Sequence, residues 1–299
     1  MRFLVALTLF VVAVACTEPL APGTDQIRLA DFTTLPKGKL LGLAHWPEAR
    51  WGTAPLTLNV ETMTTDEIAP GLRLAKARNQ PLFIGPRRAM VTNTGNAKGS
   101  FSLTRAKASV DAWARGPLKP DSVRKYAPWI KGWYLIDEPF CGPCWGGREA
   151  RYSDLVEYAR YFRQRIDPDG LVPLAIRVPP TKLAAYGDWG GLIDAGWVVF
   201  KPTTRFSVEE TLDREAAVAR RYGWKLVAGV NAENCDGQDR GPCSPTELRR
   251  YLEPIIRHPA VCASSSWRYD ADTWRQSGIR SAWDYLANIA KTQPNTDCR

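Results

Sequence analysis

Short apolar segments alternate with helical segments along most of the chain, and this alternation limits the folds that the sequence can adopt. Eight of the apolar segments have the length and composition of buried strands. The predicted strands are Leu40–His45, Leu56–Val60, Pro81–Gly85, Gly132–Asp137, Val172–Arg177, Trp197–Lys201, Lys225–Val230 and Val261–Trp267. Eight strands separated by helices over about 250 residues predict a (β/α)8 barrel, which we place at residues 38–292.

Two of the intervening helices have strong start signals. Ser207 with Glu210, and Ser244 with Glu247, have the spacing of a capping box. The last predicted helix lies near Arg275–Lys291 and closes the domain. Residues 293–299 are left as a C-terminal tail.

A doubly wound open sheet is the alternative fold, because the same alternation permits it. Only ten residues separate the first two predicted strands, and they include Pro47 and Pro55, so an ordinary helix does not fit there. A nucleotide-binding sheet would carry a glycine-rich turn after a strand. No such turn follows any predicted strand, and we predict no cofactor.

The first sixteen residues have the pattern of an export signal. Arg2 precedes the mostly apolar run Phe3–Val14, which is too short to span a bilayer but suits a signal peptide. The run leads into Ala13-Val14-Ala15-Cys16, which resembles the lipobox of bacterial lipoproteins. The resemblance implies a signal peptide at residues 1–15 and a membrane anchor through a lipid on Cys16. A plain secretory signal is the alternative, because Ala13 and Ala15 also fit ordinary cleavage.

The segment after Cys16 predicts a tether. Residues 16–37 are rich in Pro, Thr and Gly and have little periodicity. Thr17 stands where lipoproteins retained in the inner membrane carry Asp. The resemblance therefore implies the outer membrane as the destination in a two-membrane cell.

Six cysteines follow Cys16, and an even number in an exported chain predicts three disulfides. Six cysteines allow fifteen pairings. Short sequence separation favours two of the pairs, and the third would hold the C-terminus. The predicted pairs are Cys141–Cys144, Cys235–Cys243 and Cys262–Cys298.

The distribution of charge argues against a nucleic-acid partner, and the positions of the histidines argue against a metal site. The formal net charge is +9, and removal of Arg2 with the signal leaves about +8. The Lys and Arg residues are scattered, so we predict a solvated monomer surface and no nucleic-acid partner. The only histidines, His45 and His258, are far apart and no HExxH motif occurs, so we predict no metal site.

Residues 131–140, Lys-Gly-Trp-Tyr-Leu-Ile-Asp-Glu-Pro-Phe, form an apolar strand that ends in two acids and a proline. In a (β/α)8 barrel, active sites lie at the end where the strands terminate, which we call the mouth. The motif resembles the fourth strand of retaining (β/α)8 glycosidases, where Asn-Glu-Pro carries the general acid/base. In that family the nucleophilic Glu ends the seventh strand, and here that strand leads into Asn231-Ala-Glu233. The resemblance implies that Glu138 is the acid/base and Glu233 the nucleophile, with Asp137 in place of the family's Asn.

Polar or aromatic residues end most of the other predicted strands. The candidate ligand contacts are His45, Trp46, Arg177, Lys201, Asn231, Trp267 and Tyr269. Tryptophan offers a flat apolar face to a sugar ring, and His45 is expected to act as a hydrogen-bond donor. Arg177 and Lys201 either bind an anionic glycan or neutralise the neighbouring acids, and we favour the second interpretation.

Cys141-Gly-Pro-Cys144 is also the dithiol sequence of thioredoxins, which raises a redox hypothesis. We favour a structural disulfide, because the chain is too long for that fold and begins with three strands too many.

The resemblance to retaining glycosidases, together with the export signal, implies a glycoside hydrolase that acts on an extracellular or envelope glycan. One carboxyl group would protonate the leaving oxygen, and the other would attack the anomeric carbon or activate a water. The rival hypothesis is a non-catalytic glycan-binding lipoprotein. For Asp137 and Glu138, the alternative to a catalytic role is a loop ion pair or a helix-capping acid.

Overall fold

The structure, a computed structural model, describes residues 37–53, 55–87, 99–203, 205–235 and 241–299. Within these residues, eight parallel strands pair in sequence order, and the eighth strand pairs with the first. The strands are β1 (Leu40–Ala44), β2 (Leu58–Met63), β3 (Leu82–Pro86), β4 (Ile130–Asp137), β5 (Leu174–Arg177), β6 (Ala195–Phe200), β7 (Lys225–Val230) and β8 (Val261–Ser266). The predicted (β/α)8 barrel is confirmed, and the open sheet is wrong because closure leaves no edge strand.

Part of the N-terminal prediction cannot be placed on this fold. The predicted signal peptide, Cys16 and residues 16–36 of the predicted tether lie outside the described residues. In the ranges that the structure describes, no helix is long and apolar enough to cross a bilayer.

Helices pack around the outer face of the barrel. They are α1 (Thr65–Ala77), α2 (Leu103–Arg115), α3 (Pro120–Tyr126), α4 (Tyr152–Ile166), α5 (Pro180–Tyr186), α6 (Val208–Tyr222), α7 (Pro245–Arg257), α8 (Ala271–Arg275) and α9 (Ile279–Thr292). Both predicted capping boxes are present, since the Ser207 and Ser244 hydroxyls each accept a hydrogen bond from the backbone N–H of the Glu three residues later.

The last predicted helix, near Arg275–Lys291, is present as α9, which begins at Ile279 and ends at Thr292. The short helix α8 ends at Arg275, and the chain between α8 and α9 contains Gly278 with φ of 82°. A left-handed residue interrupts the helical backbone, and glycine adopts this conformation without a steric penalty.

In the described part of the connection between β1 and β2, residues 45–53 and 55–57, the helical structure is a single 3-10 turn, Glu48–Arg50, as the proline content predicts. In place of a helix, Trp46 and Trp51 fill this part of the outer core, with only 1% and 2% of their surfaces exposed. The Trp51 indole N–H donates to the Trp46 carbonyl oxygen at 2.8 Å, which satisfies the buried donor.

The interior of the barrel is packed with side chains. Leu58, Phe83 and Trp197 belong to one buried cluster inside the sheet. The strands β7 and β8 approach so closely that a Cβ atom on Gly229 would lie 1.9 Å from the Ser265 carbonyl oxygen. A filled interior leaves the mouth as the surface where a ligand can bind.

The six cysteines that follow Cys16 form the three predicted disulfides, Cys141–Cys144, Cys235–Cys243 and Cys262–Cys298. The last of these holds the C-terminal tail against β8. The Thr296 hydroxyl lies 3.4 Å from the carbonyl oxygens of both Val261 and Cys262. Because these residues begin β8, the tail lies at the end of the barrel opposite the mouth.

Candidate functional site

Asp137 ends β4 at the mouth, and Glu138 follows it with a left-handed backbone, φ 39°. The Trp145 indole N–H lies 3.0 Å from the carbonyl oxygens of both Asp137 and Glu138. The Cys141 backbone N–H donates to the Glu138 carbonyl at 2.9 Å. A non-glycine residue in this conformation is strained and persists only when its surroundings hold it, which often occurs at functional sites.

The Glu138 carboxylate lies beside the Cys141–Cys144 disulfide. Its Oε2 atom is 3.6 Å from the Cys144 Sγ atom, and the disulfide sulfur has no hydrogen to donate. The three candidate ligand atoms of Glu138, Cys141 and Cys144 lie within 4.8 Å of one another. A disulfide offers no thiolate, so these groups do not form a zinc site while the bond is intact.

The same environment disfavours the redox hypothesis. A reactive cysteine needs a neighbouring positive charge or a helix N-terminus to stabilise its thiolate. Here a carboxylate of Glu138 stands beside Cys144, and Cys141 precedes only the short 3-10 helix Gly142–Trp145. The surroundings fit a structural disulfide.

Arg177, at the end of β5, pairs with Asp137 on the neighbouring strand. The Arg177 Nη1 atom donates to the Asp137 Oδ1 atom at 3.0 Å, and the arginine side chain is only 8% exposed. Burial raises the pKa of Tyr134 well above its ordinary value, and the charge on Asp137 acts in the same direction. Tyr134 is therefore a neutral phenol beneath an ion pair.

Contacts continue from Arg177 across the mouth. The Arg177 Cζ atom lies 4.5 Å from the centroid of the Trp267 ring, and the His45 ring meets Trp267 edge-on at 5.2 Å between centroids. The His45 Nδ1 atom lies 3.2 Å from the Glu61 Oε2 atom. Side chains at or just after the ends of β1, β5 and β8 therefore meet at the mouth.

Glu61 on β2 is missing from the predicted site residues. Its side chain is only 13% exposed, and its Oε1 atom accepts a hydrogen bond from the Asn59 amide at 3.0 Å. Among the described residues, His45, Asn79 and Glu138 are the non-glycine residues with positive φ, and His45 and Glu138 both lie at the mouth. The sequence signal for Glu61 is its place as an acid directly after the second predicted strand, Leu56–Val60.

Glu233 lies three residues beyond the end of β7 and forms a paired contact with Arg268. The Arg268 Nε and Nη2 atoms lie 2.7 and 2.9 Å from the two Glu233 carboxylate oxygens. Asn231 forms a parallel bridge with Trp267, so β7 and β8 remain adjacent past their ends. The Asn231 side-chain oxygen accepts from the Asn234 backbone N–H at 3.0 Å.

The prediction that Trp46 contacts a ligand is wrong. Its ring is 1% exposed and packs edge-on against Trp274 and Tyr269, at centroid distances of 4.7 and 5.2 Å. A side chain without an accessible face cannot stack on a sugar, so Trp46 belongs to the core. Tyr269 is half-buried against it, and Lys201 is exposed after β6.

No protein-family model matches the sequence, and no curated protein is similar to it in sequence. Solved structures do share the fold. An endo-β-1,4-mannanase double mutant from Cellulomonas fimi has a TM-score of 0.60 at 15% identity, over 87% of this chain and 72% of that chain.

Two further solved structures are similar over nearly their whole length. A GH18 chitinase from Pseudoalteromonas aurantia has a TM-score of 0.51 at 12% identity, over 84% of this chain and 99% of that chain. A β-mannanase from Thermomonospora fusca has a TM-score of 0.52 at 11% identity, over 87% and 93%. At such identities, the likeness establishes the (β/α)8 barrel, and function has to be argued from the site.

Proposed function

We propose that this protein is a glycoside hydrolase in which Glu138 protonates the leaving oxygen of a glycan. The observation that carries the proposal is the placement of Glu138 at the end of β4, with a strained backbone that the Trp145 and Cys141 hydrogen bonds hold. Strain that the surroundings maintain at a barrel mouth is typical of catalytic residues. The mannanase and chitinase barrels of similar fold add support.

Glu233 is the second carboxylate of the proposal. Arg268 donates a hydrogen bond to each of its two carboxylate oxygens, and this paired contact fixes the orientation of the Glu233 side chain. A proton moves from Glu138 to the glycosidic oxygen as the bond from that oxygen to the anomeric carbon breaks. In the retaining reaction Glu233 bonds to this carbon, and a water that gives its proton back to Glu138 then releases the sugar. In the inverting reaction Glu233 activates the water directly.

The proposed contacts to the sugar come from side chains around these two acids. Trp267 supplies an aromatic face, while Asn231, Tyr269 and Lys201 supply polar groups near the ends of β6, β7 and β8. Asp137 and Arg177 bind each other, so we assign them to orienting the site.

A non-catalytic glycan-binding protein is the second candidate, and one observation favours it. Two of the three predicted acids, Asp137 and Glu233, already form ion pairs with Arg177 and Arg268. Paired carboxylates can serve to hold loops in place without taking part in a reaction.

Hydrolysis by the purified soluble domain, measured on a panel of polysaccharides, tests the proposal. Glu138→Gln and Glu233→Gln should each lower turnover at least about 100-fold, because each removes a proton transfer or bond that the other acid does not supply. Glu209→Gln, at an exposed position on α6, is the matched control and should keep full activity. Binding without cleavage of any glycan would favour the second candidate, and a fully active Glu138→Gln protein would overturn the assigned acid.

We also propose that the protein is exported and held to the cell envelope by a lipid on Cys16, which brings it to an extracellular or envelope glycan. Its three disulfides support an oxidising compartment. We expect it to act as a monomer.

A further inference from the structure

The hydrogen-bonding surroundings of Glu61 fix which ring nitrogen of His45 carries a hydrogen. The Asn59 amide donates to Oε1, and the His45 Nδ1 atom lies 3.2 Å from Oε2. Asn59 is fully buried, and its side-chain oxygen accepts from the Trp46 backbone N–H at 3.0 Å, so the amide cannot turn over. An ionised carboxylate only accepts hydrogen bonds, and therefore His45 Nδ1 must be the donor.

A neutral imidazole with its hydrogen on Nδ1 has a lone pair on Nε2. Among the described residues, no group forms a hydrogen bond with the His45 Nε2 atom. The side chain is 35% exposed and its ring contacts Trp267 at the mouth. The free lone pair is therefore available to a ligand there.

The backbone of His45 is held in a left-handed conformation, φ 59°, which most residues avoid. Its N–H donates to the Val60 carbonyl at 3.0 Å, and the preceding Ala44 carbonyl accepts from the Tyr269 N–H at 2.8 Å. Both neighbouring strands therefore hold this residue in place. Strain that is maintained on both sides points to a positioned side chain.

We propose that His45 accepts a hydrogen bond at Nε2 from a hydroxyl group of the ligand, and that Glu61 is the positioning residue that keeps the ring in this tautomer. This role is the opposite of the donor role that the sequence predicts, because Glu61 uses the only N–H of the neutral ring. The inference rests on the proposed function for one point, that the ligand is a sugar. It implies a preference for sugars with a free hydroxyl at this place over deoxy or O-acylated ones.

The chain has two histidines, so the ring nitrogens can be read separately by 15N NMR. His258 is an internal control with the opposite arrangement, since its Nε2 atom lies 3.2 Å from Asp213 and its Nδ1 atom accepts from the Ala260 N–H at 3.3 Å. We expect the hydrogen on Nδ1 in His45 and on Nε2 in His258. The His258→Gln spectrum assigns the two rings.

Glu61→Gln should abolish the Nδ1–H preference of His45, because the new amide can donate as well as accept. The tautomer of His258 should not change. An Nε2–H tautomer for His45 in the unaltered protein would overturn the inference.

Binding supplies the second measurement, with linear tetrasaccharides of mannose, N-acetylglucosamine and galactose as the probes. At least one should move the 15N signal of His45 Nε2 and leave His258 unchanged. His45→Asn, which tolerates the left-handed backbone, should weaken binding of that probe by about 3- to 10-fold. Unchanged binding by this variant, or no binding of any probe, would overturn the inference.

These outcomes separate the inference from the proposed hydrolase. Binding through His45 without cleavage would support the inference and overturn the hydrolase proposal. Cleavage that is unaltered in the His45→Asn and Glu61→Gln variants would support the hydrolase proposal and overturn the inference.

Discussion

The guanidinium group of Arg177 lies over the indole ring of Trp267, with its Cζ atom 4.5 Å from the ring centroid. Arg177 ends β5 and Trp267 follows β8, so this contact spans the mouth between strands that are not neighbours. Arg177 also donates to Asp137, which places the cation between a carboxylate and an aromatic face. A sugar that stacks on Trp267 must therefore use the ring face opposite Arg177.

Arg177→Lys should lower the free energy of unfolding by about 1–2 kcal/mol, because an ammonium group lacks the planar fork that contacts Asp137 and Trp267 together. Urea denaturation measures the change. Arg275→Lys is the matched control, since Arg275 also pairs with an acid but its side chain is 75% exposed. Equal losses in the two variants would show that the contact across the mouth adds no stability.

Of the two disulfides Cys262–Cys298 and Cys141–Cys144, the first should contribute more to stability and the second more to activity. Cys262 and Cys298 are 36 residues apart, whereas Cys141 and Cys144 are three apart. A larger closed loop constrains the unfolded chain more, so removing the first pair by Ser substitution should cost about 4 kcal/mol and removing the second about 2 kcal/mol. Removing Cys141–Cys144 should cause the larger loss of turnover, because the loop that this disulfide closes lies against Glu138. Full activity without Cys141–Cys144 would contradict the role given to this loop.

Lys39 should make stability rise with pH in the alkaline range. Burial lowers the pKa of Lys39 from its ordinary value to about 8, and its Nζ atom donates to the carbonyls of Ile256 and His258 at 2.7 and 2.8 Å. Between about pH 8 and the ordinary lysine pKa near 10.5, the unfolded chain holds a proton that the folded chain has released. Stability due to this group therefore increases across that window, by at most about 3 kcal/mol at about 1.4 kcal/mol per pKa unit.

The measurement for Lys39 is the difference in unfolding free energy between the unaltered protein and Lys39→Met at pH 7.5 and at pH 10. Other titrating groups cancel in this difference because both proteins share them. A difference that is the same at both pH values would mean that the folded and unfolded chains bind this proton equally well.

Cys16→Ser should prevent lipidation and move the protein from the membrane fraction to precursor or soluble material. The reason is that the thiol is the atom that takes the lipid in the lipobox that this sequence resembles. Cell fractionation with an antibody against the barrel measures the distribution. A Cys16→Ser protein that is cleaved normally and still fractionates with membranes would rule out the lipid anchor.

The sequence was sufficient for the elements that depend on local chemistry. Strand β7 has the predicted bounds, Lys225–Val230, because a buried parallel strand appears as a short apolar run. The helices that begin after Ser207 and Ser244 follow from hydrogen bonds made within four residues. The closed order of eight strands followed from their number and spacing, and the placement of Glu138 at the mouth followed from the strand that precedes it.

Only the tertiary structure decided which side chains meet at the mouth. Glu61 with His45, Arg177 with Asp137 and Arg268 with Glu233 are 16, 40 and 35 residues apart in sequence. Whether such pairs touch depends on how the closed barrel brings strand ends together, and no local pattern carries that information. Trp46 shows the same limit, because a tryptophan after a strand has the same sequence signature whether it faces a ligand or packs in the core. The physical reason is that burial is a property of the assembled layers, whereas hydrophobicity is a property of the residue.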